Sequence, residues 1–158
     1  SNQYTSMKRT VLLFTLCSLL LASCNNSSNN NSNEFKINKK MEATKDQREG
    51  IEKAIGYYME GGRLANGNIT AQAFTDNATM SWAENGKLVS VPIQVLYDFV
   101  NNSQAAPVSY EILSLSVQED IAVANLKTQF GDAKYYDMFS FVKDGDEWKI
   151  VSKIYRNR

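Results

Sequence analysis

Two carboxylates and a lysine, Asp76, Asp137 and Lys153, are the side chains best placed to do polar chemistry in this chain, with Tyr57, Tyr135 and Tyr136 as hydroxyl donors beside them. They carry that weight because histidine is absent altogether, which removes the commonest general base and metal ligand. A catalytic site here would need Asp137 or Asp76 held in burial as the acid/base, with Tyr136 stabilising developing oxyanion charge. The period-two run "KYYDMFSFVK" places Asp137 on one strand face with Tyr135, Phe139 and Phe141. If that face is concave, the carboxylate enters the interior. If it is convex, Asp137 and Lys153 form a solvated cross-strand pair worth about 0–1 kcal/mol.

The remaining reactive residues are Cys17 and Cys24, the only two cysteines, both near the N-terminus. That placement excludes a disulfide framework or a Cys-rich metal site in the rest of the chain, and no metal or other cofactor is expected. From Met7 the chain reads "MKRTVLLFTLCSLLLASC": Lys8 and Arg9 as a positive region, then an apolar stretch from Val11 to Leu21 too short to span a bilayer. Leu21-Ala22-Ser23-Cys24 resembles the bacterial lipobox, which implies lipidation of Cys24 and cleavage before it. Residues 1–6 are then upstream or extraneous residues, 7–23 a lipoprotein signal peptide and 24–40 a lipidated cysteine with a tether.

The tether "NNSSNNNSNEFKINKK" has almost nothing apolar to bury and is expected to be disordered, reaching on the order of 20 Å from the bilayer. Two or three acyl chains, at about 0.8 kcal/mol per buried CH₂, suffice to anchor it. The expected location is the cell envelope, and Asn25 after the cysteine implies an outer membrane facing the periplasm in a Gram-negative host. Formal charge balances at 17 Lys+Arg against 17 Asp+Glu, and loss of Lys8 and Arg9 leaves about −2. No basic excess exists to favour nucleic acid.

At 158 residues, 43% hydrophobic and 22% charged, the chain leaves room for one ordinary domain, which is expected at residues 41–158. Thr44 and Gln47 form a capping box, and Ile51, Ala54, Ile55, Tyr58 and Met59 recur at helical spacing, predicting a helix to about Leu64. Asn68 or Thr70 is expected to cap a short second helix through Phe74, and "FTDNATMSW" to lead into a strand. Asn85-Gly86 signals a type I′ hairpin, and Pro92 suits the first position of a third helix burying Ile93, Leu96, Tyr97 and Val100. Then "VSYEILSLSV", "IAVANLKTQF", "KYYDMFSFVK" and "EWKIVSKIY" read as four strands, with turns at Glu119-Asp120, Gly131-Asp132 and Asp144-Gly145. The fold class is α+β: three N-terminal helices packed on a curved, mainly antiparallel sheet of about six strands.

This order of elements, with "FTDNATM", "NGKLV" and "YYDMFSFVKDGDEWKIVSKIY", resembles the NTF2-like superfamily, and within it the lumazine-binding or SnoaL-like group, over Thr44 to Arg158. The resemblance implies a cone whose cavity lies between the concave sheet face and the helices. It makes Tyr58, Phe74, Met80, Trp82, Tyr97 and Phe99 candidate ligand contacts, with Phe139 and Phe141. It also places an acidic residue and a lysine at the positions of Asp137 and Lys153. Aromatic residues at these spacings equally suit plain core packing. The function expected is binding of a small, largely apolar or aromatic ligand, with a homodimer through the outer sheet faces as a further expectation. The alternatives are an isomerase- or dehydratase-type enzyme and a structural domain whose cavity its own side chains fill.

Overall fold

A computed structural model describes residues 42–158, so the expectations for residues 1–6, the signal peptide, Cys24 and the tether lie outside the described residues. The element order is α1 (Lys45–Leu64), α2 (Gly67–Ala71), β1 (Phe74–Glu84), β2 (Lys87–Pro92), α3 (Gln94–Asn101), β3 (Val108–Gln118), β4 (Ile121–Phe130), β5 (Ala133–Asp144) and β6 (Glu147–Asn157). Among the described residues, no helix is long and apolar enough to cross a membrane.

Helix α1 begins where the capping box places it. The Gln47 amide donates to Thr44 Oγ1 and the Thr44 amide to Gln47 Oε1, satisfying two amides the helix itself cannot pair. It ends at Ala65, in the left-handed region at φ 53°, with the Asn66 amide bonded back to the Gly61 carbonyl at 2.9 Å. Gly61 and Gly62 let the last turn approach its neighbours closely. A Cβ on Gly61 would stand 2.6 Å from the Thr70 backbone nitrogen, and one on Gly62 would strike the Phe130 ring.

Four boundaries differ from expectation. The cap of α2 is Asn66, whose side chain accepts from the amides of Asn68 and Ile69; Thr70 instead points inward and is fully buried. Phe74 belongs to β1, because the Ala73 carbonyl accepts from the Ile150 amide at 2.8 Å and pulls the chain into the sheet. Pro92 closes β2 opposite Thr79 and does not open α3. On this edge strand its missing N–H costs no ladder bond, and the Ile93 amide bonds to the Ala78 carbonyl at 2.9 Å before the helix starts. The last turn is centred one residue later, at Gly145-Asp146, with Gly145 at φ 60°.

The six strands form one sheet in the order β2-β1-β6-β5-β4-β3, antiparallel except for the β1/β6 pair. Alternation decides the faces: Ala122, Ala124, Leu126 and Thr128 of β4 point inward, as do Asp137, Phe139 and Phe141 of β5. Strand β6 would break this pattern. Trp148 and Ile150 point inward, so strict alternation would turn Lys153 outward. The register shifts there: Phe141 pairs with Ile150 and Ser140 with Ser152, leaving Val151 as an extra residue. That bulge returns Lys153 and Tyr155 to the inner face, and α1 packs Ile51, Ile55 and Tyr58 against it.

Gly61→Ala tests the close approach of α1 to α2. The added methyl meets the Thr70 hydroxyl and, at 2.6 and 2.9 Å, the Thr70 backbone nitrogen and Cα, which cannot rotate away, so a loss of about 1–3 kcal/mol is expected, read as a lower urea midpoint at unchanged slope.

Candidate functional site

Three elements converge on the Asp137 carboxylate of β5. Lys153 Nζ from β6 donates to Oδ1 at 2.6 Å; Thr128 Oγ1 from β4 and the Tyr58 hydroxyl from α1 donate to Oδ2 at 2.6 and 3.1 Å. Asp137 is 0% exposed and Lys153 3%. The face is therefore concave, and the solvated cross-strand pair is excluded. Lys153 lies opposite Phe139 in the ladder and reaches diagonally to Asp137, two residues along β5. Its ammonium also stands 4.1 Å from the Tyr155 ring centroid and 5.6 Å from that of Tyr58.

Burial is the largest influence on both titrating neighbours. It raises the Tyr58 hydroxyl well above its usual value, with the Asp137 charge and hydrogen bond adding to the rise. It lowers Lys153, while Asp137 pulls part of the way back.

Beside this cluster lies a cavity of about 490 Å³, bounded by α1, α3 and the inner faces of β1, β5 and β6. Of the expected contacts, Tyr58, Met80, Trp82, Phe99 and Lys153 line it. Phe99 is 65% exposed and stands on α3 at the solvent side, so the cavity is open and not filled by the protein's own side chains. Phe74, Phe139 and Phe141 are placed differently: they are buried in the core, edge to face with Tyr58 and one another, and do not reach the wall. Tyr97 is half-buried against Phe74 and also off the wall. Asp137 sits behind Lys153.

Neither of the other catalytic candidates joins the cluster. Tyr136 alternates onto the outer face, where Arg158 covers its ring at 5.6 Å. Asp76 is exposed; its charge helps burial push the Tyr97 hydroxyl up to about 12. The tyrosine on Asp137 is Tyr58. Sequence reasoning missed Thr128, Phe130 and Tyr155. Thr128 follows Leu126 on the inward parity of β4, a readable signal, but Tyr155 depends on the bulge, which no residue in "KIVSKIY" announces. Trp82 and Tyr155 stack at 5.5 Å, and Tyr135 meets Tyr155 at 5.8 Å, forming an aromatic wall. Among the described residues, no cluster of His, Cys, Asp or Glu could hold a metal.

Two outcomes follow for stability. Asp137→Ala leaves a buried ammonium and two hydroxyls without their acceptor and is expected to cost about 3–5 kcal/mol, whereas Asp137→Leu with Lys153→Met recovers most of it; urea unfolding of both variants checks this. Above about pH 10.5 the lowered Lys153 still binds fewer protons folded than unfolded, a difference that fades as the unfolded lysine also loses its proton and that is common to the wild type and Tyr58→Phe. There the native state keeps the Tyr58 proton that the unfolded chain has released, so stability falls as pH rises. Tyr58→Phe should make that decline shallower by up to ~1.4 kcal/mol per pH unit, read from denaturation midpoints between pH 10.5 and 12.

Comparison with known proteins agrees with this geometry. An NTF2-like protein of unknown function from Shewanella baltica OS155 is 29% identical, with a TM-score of 0.67, covering 74% of this chain and 98% of its own. Another, from Methylobacillus flagellatus KT, is 26% identical with a TM-score of 0.67, covering 74% of this chain and 96% of its own. A ketosteroid isomerase-like protein from Erwinia carotovora atroseptica SCRI1043, 16% identical with a TM-score of 0.56 over 72% of this chain and 98% of its own, shares the fold. No curated protein matches. The family described as "Putative lumazine-binding" matches residues 46–156, and the chain belongs to that family, within the NTF2-like superfamily.

Proposed function

We propose that this protein binds a small, largely apolar or aromatic molecule in its cone, as a lipid-anchored component of the cell envelope. The observation that carries the binding reading is the open cavity of about 490 Å³ with an aromatic wall and, among the described residues, a single charged side chain, Lys153, on it. Apolar walls bury a ligand, and a few fixed polar atoms orient it. The name of the family points the same way.

Catalysis is the weaker reading, because Asp137 stands behind Lys153 with three donors already on it and the expected partner Tyr136 faces outward. Anchoring rests on the lipobox-like Leu21-Ala22-Ser23-Cys24. Outward-facing Val123, Met138, Val142 and Ile154 support a homodimer through the sheet, since they lie on adjacent strands and are 39–51% exposed.

Native mass spectrometry of the protein isolated from its own host tests binding and assembly together. A mass added to the native species and lost on denaturation is expected, on a dimer; an empty, folded protein would count against the binding reading, and a monomer against the dimer. Separately, Cys24→Ala is expected to move the protein from the membrane to the soluble fraction without changing its unfolding midpoint. An unlipidated variant still in the membrane fraction would sink the anchoring claim.

A further inference from the structure

Charge and apolar exposure divide the domain into two unlike ends. The mouth of the cavity lies where β5 begins and β6 ends: Ala133, Tyr135 and Asn157 line it there, with Gly62 of α1 and Val95 and Phe99 of α3. Trp82 stacks on Tyr155, which brings the β1/β2 turn to the same end. Leu64, Leu88, Val95 and Phe99 are 43–79% exposed at this end. Lys87, Lys134, Arg156 and Arg158 stand around them, all exposed, against Glu84 and Asp132; Arg63 is committed to Glu60, 2.8 Å from its Nε. The far end gathers the start of α1 and the β3/β4 and β5/β6 turns, joined by bonds from Gln47 Nε2 to the Glu119 carbonyl and from the Lys143 amide to the Asp120 carbonyl. Its charge has the other sign. Asp46, Glu119, Asp120, Asp144 and Asp146 lie there against Lys143, the other cations being paired with Glu49, Glu52 or Glu147.

Apolar side chains standing out from a collar of cations suit the boundary of an anionic bilayer, where hydrocarbon takes up the first and lipid phosphates the second. The charge asymmetry along the cone turns the mouth toward such a surface, because the acidic end is repelled by it. The tether permits that orientation. Twenty residues, Asn25 to Thr44, separate Cys24 from α1, and extended they span about 65 Å, against ~30 Å for the whole of α1. Attachment at the acidic end therefore does not hold that end against the membrane.

We propose that the mouth of the cone docks on the anionic leaflet that carries the lipid anchor, with Phe99 and Leu88 entering the headgroup boundary and the cavity open toward the lipid. The contact is weak by itself, and the tether sustains it by holding the mouth at an effective concentration in the millimolar range. Loss of the anchor, as in Cys24→Ala, is then enough to release the protein.

This inference rests on the anchoring reading, and the test separates the two. The full chain carrying Phe99→Trp, produced in its own host, is mixed with vesicles of phosphatidylcholine alone or with about 30% phosphatidylglycerol, each containing doxyl-labelled lipid. Flotation with both kinds of vesicle reads the anchor. Emission of the introduced tryptophan, taken over the wild-type background of Trp82 and Trp148, reads the docking. It is expected to fall about twofold or more in the anionic vesicles only, and to recover in about 0.5 M salt, which screens the collar. Lys134→Glu with Arg156→Glu, both at exposed positions, should lower the ratio of docked to undocked protein about fivefold for each cation lost. Emission unquenched in both vesicles, or quenched equally in both, overturns the docking and leaves the anchor standing. Shielding from aqueous acrylamide without quenching by lipid overturns it too and assigns the face to a second copy or another protein. A chain that does not float with neutral vesicles overturns the anchoring reading, and its emission in an excess of anionic vesicles still decides the docking.

Discussion

The buried contact between Asp137 and Lys153 constrains the rest of the domain. An ion pair with both partners removed from water contributes little net stability, since desolvation offsets most of the Coulomb attraction, but it admits very few alternative arrangements. Three segments distant in sequence must be in register before the carboxylate has all its donors: α1 through Tyr58, β4 through Thr128 and β6 through Lys153. A slip of one residue in any of these strands would turn a charge or an unpaired hydroxyl to the wrong face. The pair thus fixes the register of the sheet centre and the seat of α1 at once.

The bulge at Val151 gives this pair its consequence for function. With strict alternation, the inward set of β6 would continue as Trp148, Ile150, Ser152 and Ile154, and the concave face would end in a serine and an isoleucine. The extra residue divides the strand. Its first half adds Trp148 and Ile150 to the core under α1, and its second half adds Lys153 and Tyr155 to the cavity. The same division sorts the aromatics. Phe141, opposite Ile150 of the first half, is core, and Trp82 and Tyr135, which meet Tyr155 of the second half, are wall; Phe139, opposite Lys153, is core because Tyr58 packs over it. Gly62 keeps the end of α1 thin enough for Phe130 to close that side.

Much of this was legible in the sequence, for physical reasons that can be named. The capping box, the Asn85-Gly86 hairpin and the four long strands are set by local chemistry and by period-two alternation, so they read directly. Asp137 was placed with Phe139 and Phe141 by parity alone, and the structure supplies the concavity that parity leaves open. What could not be read was non-local. Pro92 suits a helix start and a strand end equally, and only its pairing with Thr79 decides. Thr70 has the chemistry of a cap and is buried because Gly61 lets it in. Tyr58 looked like a cavity aromatic, and its hydroxyl became a ligand of the carboxylate only through the docking of α1.

The electrostatics of the cluster also bear on why binding fits it better than acid–base turnover. General acid–base catalysis works best with a group whose pKa lies near the working pH and which reaches the substrate. Burial drives the Tyr58 hydroxyl away from neutrality, and its proton is committed to Asp137. Lys153 alone both reaches the cavity and shifts toward neutrality, and the carboxylate 2.6 Å away opposes loss of its proton. Every oxygen of Asp137 is occupied by the protein's own donors. A constellation so fully committed has little freedom to exchange protons with a substrate: the ammonium is held between the carboxylate and the rings of Tyr58 and Tyr155, beside the aromatic wall.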